Sequence, residues 1–148
     1  MKKYVPSREL CERIPAESFH NSVYAWHLAE VEGIVCSDTS CRKVHSKQWQ
    51  LIRSSKHRLN EARAAGDLYF PAPTLEEILN VLPKDNAYND IHVSYSASGK
   101  YAGYHVYYIG DRLRHCYDTS AANAALKLFL KLEELRLNEA KKARKSAK

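Results

Sequence analysis

The run Ile91-His92-Val93-Ser94-Tyr95-Ser96-Ala97, the turn Ser98-Gly99-Lys100 and the run Tyr101-Ala102-Gly103-Tyr104-His105-Val106-Tyr107-Tyr108-Ile109 decide the fold. Two stretches rich in aromatic and β-branched residues, joined by a short glycine-containing turn, read as an antiparallel hairpin. Gly110-Asp111-Arg112 reads as the next turn, and Leu113 to Tyr117 as the strand that completes a three-stranded meander. Seven of the ten tyrosines fall between Tyr88 and Tyr117. A tyrosine has an apolar ring and a polar tip, so such a sheet suits a core on one face and a binding platform on the other. Alternation places Ile91, Val93 and Tyr95 on one side and His92, Ser94 and Ser96 on the other. The polar set is the expected ligand-facing side, and Tyr104 and Tyr107 lie on opposite faces.

Helices flank this meander. Pro71 and Pro73 break the chain before Thr74, which with Glu77 forms a capping-box pattern. Leu75, Ile78, Leu79 and Leu82 supply the apolar stripe, and Pro83 ends that helix. Asp118, Thr119 and Ser120 offer N-caps for a long helix from about Ala121 to Ala140, with Ala125, Leu126, Phe129, Leu132 and Leu135 on its apolar face. Upstream, Ser7 to Ile14 reads as a short helix. From Ser22 to Cys36, Tyr24, Trp26 and Leu28 alternate as in a strand while Phe19, Val23 and Trp26 would also line a helix face; Gly33 and Ile34-Val35 favour the strand, and Lys47 to Arg53 reads as another. Ser54 to Ala65 suits either a helical excursion or a basic loop. The expectation is one α+β domain over residues 1–140, in which the meander and N-terminal strands form an antiparallel sheet. A short and a long helix pack on one face of it, and residues 141–148 form a basic, disordered tail.

The chain has 148 residues and a net charge of +6. Five basic residues of that balance sit in the last eight positions. A second block, Arg42 to Ala65, holds seven basic residues against Glu61, so the high pI reports a tail and one patch. No segment approaches the roughly 18 apolar residues of a membrane span, and no apolar run follows the basic start. A cytoplasmic location and four reduced thiols, at Cys11, Cys36, Cys41 and Cys116, are therefore expected. Five glycines and no HExxH, nucleophile elbow or phosphate loop argue against the common enzyme classes.

Several sets of residues have the chemistry of a site. Arg42, Lys43, Arg53 and Arg58 surround Trp49, an aromatic among cations that suits a nucleotide or a strand. Arg112 and Arg114 sit beside the meander, whose Tyr101, His105 and Tyr107 offer rings for stacking. Cys36, Cys41 and His45, with Cys11 or Cys116, are ligand types that zinc accepts, although small buried thiols explain them as well. Two His-x-Ser triplets, His20-Asn21-Ser22 and His92-Val93-Ser94, resemble the paired motifs of the 2H phosphoesterases. That likeness implies His20 and His92 as acid and base on a phosphodiester, with Ser22 and Ser94 holding the phosphate. The first triplet departs from the family, with Asn21 where an apolar residue is usual.

The order helix-strand-strand-strand-helix is also that of the double-stranded-RNA-binding domain, but its last helix starts without Lys or Arg before Lys127, so only the architecture is carried over. Glu9-Leu10-Cys11-Glu12-Arg13-Ile14-Pro15, Phe70-Pro71-Ala72-Pro73-Thr74-Leu75-Glu76-Glu77-Ile78-Leu79 and Asp118-Thr119-Ser120-Ala121-Ala122 resemble segments of small accessory proteins of bacteriophages and mobile elements from gut bacteria. That resemblance covers most of the chain outside Cys36 to Gly66 and transfers no activity. It implies a protein that acts by binding in a host cytoplasm, on a nucleotide-type small ligand or a host defence protein. The expected function is non-catalytic sequestration of a phosphorylated nucleotide by a homo-oligomer, without metal, cofactor or membrane. A 2H-type phosphodiesterase and a nucleic-acid or host-protein adaptor are the alternatives.

Overall fold

The computed structural model describes residues 4–54, 68–84, 90–111 and 114–147. The fold is α+β, as expected, but the N-terminal strands make a sheet of their own instead of joining the meander. The chain begins with α1 (Arg8–Cys11), followed by the long hairpin β1 (Tyr24–Ser37) and β2 (Ser40–Arg53). A short strand, β3 (Tyr69–Pro71), pairs with β1 to give the order β2-β1-β3. Helix α2 (Leu75–Val81) leads to β4 (Ile91–Ser96), β5 (Gly103–Tyr108) and β6 (His115–Asp118), paired antiparallel in that order. Helix α3 (Ala121–Ser146) closes the chain. The excursion read over Ser54 to Ala65 lies, from residue 55 onward, outside the described residues.

Local chemistry sets these elements. Thr74 Oγ1 accepts from the Glu77 amide while Glu77 reaches back to the Thr74 amide, so the capping box is formed. Ser120 caps α3 by accepting from the Asn123 amide. Asp118, the last residue of β6, accepts from the Ser120 amide, from Asn123 and from Lys127 Nζ at 2.6 Å. Burial opposes its ionisation, but these donors outweigh that and bring its pKa below the usual carboxylate value. Asn123 also accepts from the Ser7 amide at 2.7 Å, which ties the N-terminal segment to the same corner.

The first ten residues of α3 are nearly surrounded by protein. Ala124, Ala125, Leu126 and Leu128 are fully buried, and they share one core with Trp26, Ile78, Val106 and Tyr108. Helix α3 packs on β5 and β6, and α2 lies against α3, with Ile78 and Leu82 in the core that includes Val106 and Tyr108. Because α3 does not extend over the edge strand β4, Val93 and Tyr95 on the helix side of the sheet stay exposed. The segment read as a disordered tail continues α3 through Ser146, exposed from Glu134 onward.

The first strand of the hairpin follows the strand read over Ser22 to Cys36, whereas β2 was legible only from Lys47. Fourteen residues per strand reach roughly 45 Å at about 3.3 Å each, and only the proximal half meets the core. Beyond Ala29 and Gln48 the ribbon is mostly exposed on both faces and ends in the two-residue turn Asp38-Thr39. Cys36 and Cys41 face each other across that turn and form a disulfide, which corrects the expectation of four free thiols. It also corrects the zinc reading, because both sulfurs are covalently used and neither is a thiolate ligand. Cys11 is buried, which pushes its thiol pKa up to about 12, and Cys116 is half-buried and raised for the same reason. Reducing the disulfide closes no cavity and exposes no core. We expect faster hydrogen exchange of amides around residues 35–42 and a melting point moved by less than about 2 °C, because the tip opens locally. A large drop in melting temperature on reduction would show that the arm supports the core.

Candidate functional site

The outward face of the β4-β5-β6 sheet is set by register. His92 pairs with Tyr107 and Tyr107 with His115, while Ser94 pairs with His105 and His105 with Tyr117. Directly paired residues point to the same side, so all six side chains project away from α3, opposite buried Val106 and Tyr108. Tyr101, in the turn before β5, folds over the same face.

These rings form one continuous string. Tyr101 meets Tyr117 edge-on at 5.0 Å, Tyr117 stacks on His105 at 5.7 Å, and His105 stacks on His115 at 5.0 Å. His115 then meets Tyr107 at 5.8 Å, and Tyr107 stacks on His92 at 5.9 Å. Beside the string lies a cleft of about 660 Å³, whose wall includes Ser94, Ser98, Lys100 and Asp111 with the rings of Tyr101, His105, Tyr107 and His115. That volume is in the range of small-ligand sites, and its mixture of aromatic surface and hydroxyls suits a planar polar ligand. The Lys100 ammonium lies 5.5 Å from the Tyr101 ring centre, at the mouth of the cleft.

The two central histidines are held in a defined way. His105 Nε2 lies 2.7 Å from the Tyr101 carbonyl oxygen, and its Nδ1 lies 2.8 Å from His115 Nε2. A carbonyl only accepts, so Nε2 of His105 carries the proton and its Nδ1 is the lone pair in the neutral ring. His115 Nε2–H then donates to it. Burial, and next the neighbouring His105 and Lys131, push the His115 pKa below the ordinary imidazole value, which keeps that ring neutral at neutral pH.

Of the residues expected to bind ligand, the structure gathers Tyr101, His105 and Tyr107 on this face. The others lie elsewhere. Arg42 and Lys43 are neighbours on β2 and so point to opposite faces of the arm, where Lys43 pairs with Glu32 at 2.7 Å. Glu30, Glu32 and Asp38 balance Arg42, Lys43 and Lys47 along that ribbon, so it presents no cationic stripe. Arg53 is exposed at the far end of β2, opposite Tyr24. Trp49 packs on Phe70 at 5.4 Å under the Arg8 guanidinium, in the corner built by the N-terminal segment. Arg114 bonds Asp111 at 3.2 Å and its guanidinium lies over Tyr108. Arg58 and Arg112 lie outside the described residues.

The two His-x-Ser triplets are not brought together. His20 follows Phe19, whose ring meets Phe129 of α3, and the Ser22 hydroxyl is buried without a hydrogen-bond partner. His92 and Ser94 lie on the sheet face turned away from that helix. Conversely, His115, Lys100 and Ser98 line the cleft and were not singled out as site residues from sequence. The signal that finds His115 is the alternation on β6 combined with its register on β5. Among the described residues no group of three or more His, Cys, Asp or Glu is placed to hold a metal ion, and no helix is long and apolar enough to cross a membrane. Compared with protein-family models, curated proteins and solved structures, the chain matches none.

Proposed function

We propose that the protein is a non-catalytic binding protein that captures a small ligand with a planar ring and an anionic group, of the nucleotide type, in the cleft beside the six-ring string. The observation that carries this is the string itself, with its cleft of about 660 Å³. Tyr101 and Tyr107 supply ring faces, and the Ser94 and Ser98 hydroxyls with Lys100 supply donors for phosphate, while the Ser96 hydroxyl donates to the Ser98 carbonyl. A single lysine at the mouth suits a mononucleotide better than a strand, whose backbone needs a track of cations. Hydrolysis has less support, because the two histidines that an acid–base pair requires face different parts of the molecule.

The test is calorimetric titration with AMP and GMP in the presence of a chelator, followed by chromatography of the recovered ligand. Binding with the nucleotide recovered intact is expected. Tyr107→Ala should weaken it by about 10–100-fold, the range of one lost stacking contact. Lys43→Ala on the arm should leave it unchanged. Absence of binding, or loss through the arm variant and not the tyrosine, overturns the reading, and hydrolysed ligand makes the protein an enzyme.

A further inference from the structure

We infer that His105 and His115 form a two-imidazole chelate for a divalent transition metal of the zinc, nickel or copper type, open toward the cleft. The inference begins with geometry. The two histidines are diagonal neighbours on adjacent strands, because His105 pairs with Tyr117 and His115 with Tyr107. Their nearest ring nitrogens are 2.8 Å apart. Two imidazole nitrogens bound to one metal at about 2.0–2.1 Å stand roughly 2.9–3.3 Å from each other, for angles from square to tetrahedral. Replacing the bridging proton by a metal therefore asks for a separation change of a few tenths of an ångström and a tilt of the rings.

Outer-shell chemistry points the same way. A metal-bound histidine commonly donates its other N–H to a carbonyl or carboxylate, which fixes its tautomer and its orientation. His105 already does this: Nε2 is committed to the Tyr101 carbonyl at 2.7 Å, leaving Nδ1 as a lone pair aimed at its neighbour. On binding, His115 moves its proton from Nε2 to Nδ1, so each ring presents one lone pair to the metal. The proton count does not change. Among the described residues no further His, Cys, Asp or Glu completes a set of three, so the remaining coordination positions belong to water or to a ligand in the cleft. Imidazole pairs of this kind select zinc, nickel and copper over calcium and magnesium.

This site shares the cleft with the proposed nucleotide site but does not depend on it, since the metal is titrated alone. Untagged full-length protein is titrated with zinc chloride and with nickel chloride by calorimetry, and the histidine ring nitrogens are followed by ¹⁵N NMR. One equivalent is expected to bind, with His105 Nδ1 and His115 Nε2 as the nitrogens that shift. His105→Ala and His115→Ala should each weaken binding by about 10–100-fold or more, the scale already set by loss of an outer-shell partner. His45→Ala, on the arm, should leave it unchanged. No binding, binding that survives loss of either central histidine, or shifts at other nitrogens overturns the inference. The NMR readout on the parent protein needs no variant to fold. Failure here leaves nucleotide binding with chelator intact, and failure there leaves the metal titration intact.

Discussion

Gly103→Val will destabilise the protein by about 3–5 kcal/mol, the sum of a strained backbone and an overpacked contact. Gly103 opens β5 at φ +134°, a conformation that side chains rarely allow, and it is buried. A Cβ there would lie 2.6 Å from the Asp118 carbonyl oxygen and 3.1 Å from its carbon. Both atoms are backbone, so no side chain can swing aside. Moving Asp118 would also disturb its bonds to the Ser120 amide, Asn123 and Lys127, which join β6 to the start of α3. Gly99→Ala is the control: φ is +94° but nothing lies within 4 Å, so only conformational strain of about 1–2 kcal/mol is expected. Urea denaturation followed by circular dichroism separates the two. Equal costs at both glycines would show that the β5–β6 contact at Asp118 yields.

That contact explains part of what could be read in advance. The meander and the two capped helices were legible because each carries a local signature: a glycine turn between β-rich runs, a Thr74–Glu77 box, and Ser120 before an apolar stripe. The arm was not legible in full. An exposed ribbon has no core face, so no apolar–polar alternation marks β2 before Lys47, and the cations there looked like a patch because their cross-strand acids were invisible. The end of α3 was missed for a related reason. Its last turns bury nothing, and a run of lysines is equally compatible with solvated coil and with solvated helix.

The candidate site was half legible. Alternation alone separates His92, Ser94 and Ser96 from Val93 and Tyr95, and it separates Tyr107 from Tyr108. Which residue of β6 meets His105 depends on the loop from Ile109 to Arg114, and a shift of one residue would turn His115 toward the helix and Cys116 toward the cleft. Sequence composition does not fix that count. The arginines were singled out for their charge alone, whereas the cleft on the sheet face is lined by serines, one lysine and two imidazoles beside its tyrosines.

The same alternation predicts that adjacent tyrosines of β5 will behave as different residues. Tyr108→Ala should cost about 3–5 kcal/mol, as for other large buried aromatics cut to alanine. Tyr108 is 1 % exposed, shares the core with Ile78, Leu82 and Val106, and donates its hydroxyl to the Pro83 carbonyl at 2.7 Å. Tyr108→Phe keeps the ring and removes that donor, so about 1 kcal/mol is expected from the lost bond. Tyr107→Ala, one position earlier and only half-buried on the open face, should cost about 1 kcal/mol or less in stability. Its effect should appear in ligand affinity instead. Thermal melts of the three variants, beside the nucleotide titration, give the comparison. If Tyr107→Ala proves the more destabilising, β5 presents its faces the other way round, and the ring string cannot be the outer surface of the sheet.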